Sequence, residues 1–442
     1  MRKRFAFALS LICGWSAISQ AQNVSWLYSR EKLKADAARW GEQIRAEYRE
    51  TILPQLTEKE KAALSAIKVE VPIAGPKGDP FQFYSDGDTV YLPALSLRFY
   101  SDLCVANAWL NAHGFDGTAV RNYVGYLFKE AGAGHRTALP VFRTLGVPDN
   151  ARDESSVTNR VDRNFGNTIF FLLAHEVGHV LKKHRTNLTD LVQKRTQEIE
   201  ADSFAIEMMR RIGQVPLGLE LWFDFEHSAH VAPVKFPTDA EWQKYLAGLD
   251  HPMTTERLEA LAVTLETAAD AFARNQSNQA LWAERYKNWA QYFRLAAPRW
   301  TTNPVAHTAE YSQVQDLHVE DLKPRKTGFT IPGTTDHESD FNGLFAVRRT
   351  AANGEQDTID LLLLRSRNEV MGGYSNGKVD GFIEGEIKDG ALQFIWREGG
   401  LTGHGVAETQ GERLRGTWGT GDAKKGAGEF SGVRQKKDKT TP

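Results

Sequence analysis

Near residue 321 the period of the hydrophobic pattern changes, and no single layer of secondary structure can satisfy both halves. Upstream, apolar residues recur at helical spacing. Trp26 to Leu53, Pro93 to His113, Thr118 to Lys129, Asn167 to Lys183, Thr189 to Ile212 and Thr254 to Phe293 each read as helix, and Thr57 to Glu60 reads as a capping box opening a further one. One β-like interruption breaks this run. Lys68 to Ile73 alternates as a strand, and Phe81 to Tyr84, Asp86-Gly87 and Thr89 to Leu92 read as a hairpin. Ala151 to Thr158 is polar and reads as a loop. Downstream, from Phe341, alternating strands are broken by Gly, Asn-Gly and Asp-Gly turns every eight to twelve residues, the pattern of an antiparallel meander or small barrel.

The first residues stand apart from both halves. Arg2, Lys3 and Arg4 precede an apolar stretch from Phe5 to Ile18, and Ser19-Gln20-Ala21 offers a cleavage site, so residues 1–21 are expected to be a signal peptide. About 14 apolar residues fall short of the roughly 20 that span a bilayer. The expected compartment is the periplasm or the cell exterior, with no stable membrane insertion after cleavage.

The expected fold class is α+β: a mainly helical, zincin-type domain with a small sheet over residues 22–320, a linker over 321–338, a β-rich domain over 339–435 and a polar tail over 436–442. Lys and Arg number 54 against 56 Asp and Glu, and losing the three basic residues of the signal leaves 51 against 56. That balance, with no long basic run, speaks against a nucleic-acid partner. Cys104 is then the sole cysteine, so no internal disulfide can form.

Within the most apolar helix lies His175-Glu176-Val177-Gly178-His179, an H-E-x-x-H pattern flanked by Phe170, Phe171, Leu173, Val177 and Val180. At about 100° per residue the two histidines stand about 40° apart on one face, one turn above the other, so both can reach one tetrahedral zinc ion. Glu176 projects to the adjacent sector, where a general base belongs. Burying two imidazoles and a carboxylate with nothing between them would cost several kcal/mol unless each found a partner.

A catalytic zinc site needs a third protein ligand. On a wheel centred on Glu198, Asp202 falls at about 40° and Met209 at about 20°, whereas Glu200 falls at about 200°, beside Glu207 and Arg211. Glu198 is therefore the inward carboxylate fit to ligate, and Glu200 reads as a surface charge. Asp202 is placed either to fix a ligand histidine's tautomer or to form a buried salt bridge, with Arg257 as a candidate partner. His227 and His230 read as part of a polar loop, and His184 as solvated. Thr89 to Leu92 reads equally as an edge strand for an extended peptide or as a plain hairpin.

H-E-x-x-H followed by Glu198-x-x-Ala201-Asp202 resembles the gluzincin peptidases of the CAAX prenyl endopeptidase, HtpX and BepA family. "DHPMTTERLEAL", residues 250–261, is similar to a further motif of that family. The resemblance covers residues 85 to 275. It implies His175, His179 and Glu198 as ligands of one zinc ion, Glu176 as catalytic base and Asp202 behind the ligands. It also implies His251 and Arg257 at the cleft, with His251 either stabilising the oxyanion or capping the zinc. Only 18 residues separate His179 from Glu198, a spacing closer to that of the ImmA/IrrE metallopeptidases, so substrate preference does not transfer. The expected function is a secreted or periplasmic zinc endopeptidase acting on a protein or peptide. The alternatives are an inactive zinc-stabilised scaffold that recognises through its β-rich domain, and a zinc hydrolase of non-peptide amides.

Overall fold

The computed structural model describes residues 23–435, apart from 232–237, 275–278, 304–317, 325–340, 376–379 and a few isolated positions. The expected signal peptide, the polar tail and most of the expected linker lie outside the described residues. Among the described residues no helix is long and apolar enough to cross a membrane. The fold is α+β, and the chain forms two compact units. Residues up to 261 together with 299–325 make the first, and 262–298 with 326 onward make the second.

The first unit is built from helices α1 (Arg30–Glu47), α2 (Ala94–Ala112), α3 (Thr118–Gly132), α4 (Asn167–Lys182), α5 (Leu191–Ile212), α6 (Leu219–Val231) and α7 (Asp239–Gly248). Helix α8 (Thr255–Thr267) begins in this unit, and α9 (Gln279–Thr301) ends in it. Local chemistry sets several of these ends. Thr57 and Glu60 form the expected capping box. Asp190 Oδ1 accepts from the Val192 amide at 2.9 Å, satisfying an otherwise orphaned donor and starting α5 two residues later than the pattern suggests. Helix α4 is buried on nearly every side, with apolar residues flanking His175, Glu176 and His179 throughout its length.

Three stretches depart from the sequence reading. Residues 151–158 are not a loop: a 3-10 turn, Ala151–Asp153, leads into a helix, Ser155–Val161, because Val157 and Val161 are buried at helical spacing. His227 and His230 lie on α6, whose stripe of Trp222, Phe225 and Ala229 is buried. The long helix expected from Thr254 to Phe293 resolves into α8, the short helix Ala269–Ala273 and α9, with Ala268 leaving helical geometry at φ −103° and ψ 15°.

The small sheet carries a further correction. Its strands are β1 (Lys68–Glu70), β2 (Tyr84–Asp86) and β3 (Thr89–Tyr91), in the order β1-β3-β2. The hairpin is present, turning at Gly87 (φ +56°), but its first strand lies at 84–86 instead of 81–84. Strand β3 pairs in parallel with β1 on one side and antiparallel with β2 on the other. Thr89–Tyr91 is therefore the central strand, and the edge reading falls. Strands β2 and β3 both touch α4.

In the second unit β4 (Gly343–Ala351), β5 (Gln356–Ser366), β6 (Glu369–Ser375), β7 (Asp380–Lys388), β8 (Ala391–Glu398), β9 (Leu401–Gln410), β10 (Arg413–Thr420) and β11 (Gly428–Arg434) pair in sequence, antiparallel throughout. Pairing of β11 with β4 closes the ring. The turn between β7 and β8 is Asp389-Gly390, both at positive φ (49° and 81°), which matches the right-handed twist of its flanking strands. The glycines of the sequence have a second use here. A Cβ on inward-facing Gly381 would overlap the ring of Tyr374 on β6, and one on Gly428 would overlap Trp418 on β10. Aromatic rings thus lie flat over bare backbone of the neighbouring strand.

Candidate metal centre

Two helices carry the site, and one small residue sets their distance. A Cβ on Gly178 would stand 3.2 Å from Ala201 Cα and 3.2 Å from Phe204 Cδ1, so glycine lets α4 and α5 approach at the level of the motif. Across that contact the helical wheel holds. Glu198 and Asp202 are 3% and 1% exposed and face α4, whereas the Glu200 side chain is 49% exposed.

The ligand atoms of His175, His179, Glu198 and His251 all lie within 4.8 Å of one another. His175 Nε2 is 3.5 Å and His179 Nε2 3.4 Å from Glu198 carboxylate oxygens, and the two Nε2 atoms are 3.0 Å apart. Donors each about 2.0–2.1 Å from one tetrahedral ion stand about 3.3–3.4 Å from each other. Two imidazoles and a carboxylate at these separations fit a single small divalent cation. Glu176 stands beside this group and is not one of its four members. It is 1% exposed, its Oε1 lies 3.6 Å from His251 Nε2, and its Oε2 has no hydrogen-bond partner among the described residues. A buried carboxylate oxygen with nothing to bind is costly unless the site's guest supplies the bond.

Around these groups stands a second ring of contacts. Asp202 Oδ1 takes a hydrogen bond from His175 Nδ1 at 2.9 Å, which turns the other ring nitrogen, Nε2, toward His179 and Glu198. Arg257 binds the same carboxylate through Nε at 2.8 Å and Nη2 at 2.9 Å, and reaches Glu198 through Nη1 at 3.1 Å. Asp202 thus fills both roles that the sequence left open. His251 Nδ1 sits 3.1 and 3.2 Å from the two oxygens of Glu198.

The charges of this cluster are strongly coupled. Burial would depress His175, but hydrogen bonds and negative charge from Asp202 and Glu198 raise it to about 9. Burial likewise opposes the charge on His251, and Glu198 and Glu176 overcome it, raising it to about 10. His179 goes the other way: burial outweighs the negative Glu198, and with the neighbouring His175 and His251 it holds His179 well below its ordinary value. Burial would raise Glu198, yet His251 and Arg257 keep it well below the usual carboxylate range. A field that draws protons onto two imidazoles also draws a divalent cation.

His184 is not solvated. Its side chain is 6% exposed, its Nδ1 faces His179 Nδ1 at 2.9 Å, and its Nε2 meets Glu200 Oε2 at 2.9 Å. Lys183 explains this: it ends α4 in the left-handed conformation (φ 54°), so the chain doubles back and lays His184 against the preceding turn. Glu200 is a surface carboxylate with a task, holding His184 against His179. Glu226, half-buried on α6, was also missed, since its stretch reads as loop. Burial lifts its carboxyl to about 7, while Arg257 and His251 draw it down.

A model of the family described as Peptidase U49 matches residues 142–283. That span holds every residue of the cluster and stops short of the barrel. No curated protein and no solved structure matches the chain.

Proposed function

We propose that the chain is an exported, zinc-dependent endopeptidase of the gluzincin type, acting on a protein or peptide in the periplasm or outside the cell. The observation that carries this reading is the set of 3.4 and 3.5 Å separations between two imidazole nitrogens and one carboxylate, beside a buried glutamate with an unused oxygen. The likeness to a peptidase family over residues 142–283 supports the substrate class.

Bound zinc would polarise the scissile carbonyl and acidify a water molecule. The chain's own residues do the rest. Glu176 takes the proton of the attacking water and returns it to the leaving amine, with burial and the nearby His251 charge fixing its position. His251, held cationic by Glu198 and Glu176, faces negative charge developing on the carbonyl oxygen. Asp202 and Arg257 keep the His175 ring and the Glu198 carboxylate in one orientation. The outer edge of β2, next to α4, offers backbone for an extended substrate. Glu176 argues against a scaffold without turnover, because a purely structural ion has no use for an unligated carboxylate beside it.

The test is Glu176→Gln. Zinc content should remain at one ion per chain while casein cleavage falls by about 10²–10⁴-fold. Cleavage at the wild-type rate in that variant would refute the mechanism.

A further inference from the structure

We propose that the C-terminal barrel is a binding chamber for a cationic amphiphile, an apolar chain or ring bearing an amine or quaternary ammonium head. The ring of strands β4 to β11 encloses a cavity of about 690 Å³, within the range of about 300–1,000 Å³ typical of small-molecule sites. The cavity occupies one half of the lumen. The other half is filled by Phe345, Leu363, Val370, Ile387, Leu392 and Leu414, none of which lines it.

The emptiness is built into the wall. Tyr374, Trp396 and Trp418 line the cavity, yet each lies against an inward glycine on an adjacent strand, Gly381, Gly403 and Gly428 respectively, and does not cross the lumen. Trp396 is also anchored by a 3.0 Å bond from its Nε1 to Gly419 O. With Ile359 and Leu361 these rings make an apolar surface of fixed shape that presents π faces to the space.

The mouth decides the charge of the ligand. Among the described residues that line the cavity Arg349 is the one guanidinium, and it is engaged already. Its Nε donates to Asp357 Oδ1 at 2.9 Å, its Nη1 donates to Glu398 Oε2 at 2.6 Å, and its carbon stands 5.0 Å over the Tyr374 ring. Glu355 lines the cavity too, so among the described lining residues three carboxylates face one guanidinium. A fatty-acid carboxylate would have to break an existing ion pair to reach Arg349. A cationic head meets surplus negative charge and aromatic faces, and Arg349 over Tyr374 shows the wall already accepting a cation.

The experiment uses the full mature chain, titrated with dodecyltrimethylammonium, dodecanoate and decanol below their aggregation limits, followed by calorimetry and tryptophan fluorescence. Saturable binding of one dodecyltrimethylammonium per chain is expected, with dodecanoate at least about tenfold weaker. Leu361→Trp, which fills the chamber, should abolish binding. If that variant does not fold, Glu398→Gln decides: by releasing Arg349 it should shift the preference toward dodecanoate by about tenfold or more. No saturable binding of the cation, dodecanoate or decanol binding as tightly as the cation, or an unchanged preference in Glu398→Gln would each overturn the proposal.

Discussion

The helical unit and the barrel treat buried charge in opposite ways. Around the contact of α4 and α5, Glu176, Glu198, Asp202 and, from α8, Arg257 are all 6% exposed or less, far from water and dependent on one another. In the barrel a cluster of buried apolar side chains fills the half away from the cavity, and the charged trio of Arg349, Asp357 and Glu398 lies at the cavity with side chains 18%, 35% and 25% exposed. Helices can hold charge at depth because one turn of spacing delivers several polar groups to a point. A strand's alternation delivers one side chain per pair of residues to the interior, so a barrel most cheaply leaves its charges at the rim. The first arrangement suits chemistry, and the second suits recognition.

The sharpest way to break that contrast is at the ligand. Glu198→Ala should strip the metal and with it all hydrolysis, whereas Glu200→Ala, two residues on, should keep both, weakening metal binding no more than about tenfold through His184. Equal metal loss by elemental analysis in both variants would mean that the inward and outward faces of α5 are wrongly assigned. Next in size is a matched pair of arginine deletions. Arg257→Met leaves Asp202 and Glu198 buried without their counter-charge and should cost about 3–5 kcal/mol of unfolding free energy. Arg349→Met opens a solvent-screened group and should cost about 1 kcal/mol or less. Denaturant melts of the two variants measure the contrast directly, and similar losses would end it. Between those two in size falls Gly178→Ala. Its methyl must displace Ala201 or Phe204 by a few tenths of an ångström, costing about 1–3 kcal/mol, and a parallel drop in metal affinity would show that helix spacing sets ligand spacing.

How much of this was legible in the chain follows the same division. The H-E-x-x-H helix, the inward Glu198 and Asp202 and the outward Glu200 were readable because helix pitch alone decides them. The barrel's turns were readable because Asp389-Gly390 requires two positive φ angles. His184 was not readable, since its position depends on a single left-handed residue, Lys183, which no local preference announces. The central place of β3 was hidden for a different reason: its second neighbour, β1, arrives by a parallel crossover from earlier in the chain, and strand order leaves no mark on local periodicity. Helix α7 carries an equally legible start signal. Thr238 and Glu241 form the same capping box that was recognised at Thr57 and Glu60.

The pairing of β11 with β4 sets Arg434 opposite Phe345. The barrel's polypeptide therefore enters and departs at adjacent points on one rim, like the ends of a bracelet at its clasp. Such a module can be inserted into a host protein, or cut at Asp389-Gly390 and rejoined at the clasp, with little change in what its interior encloses.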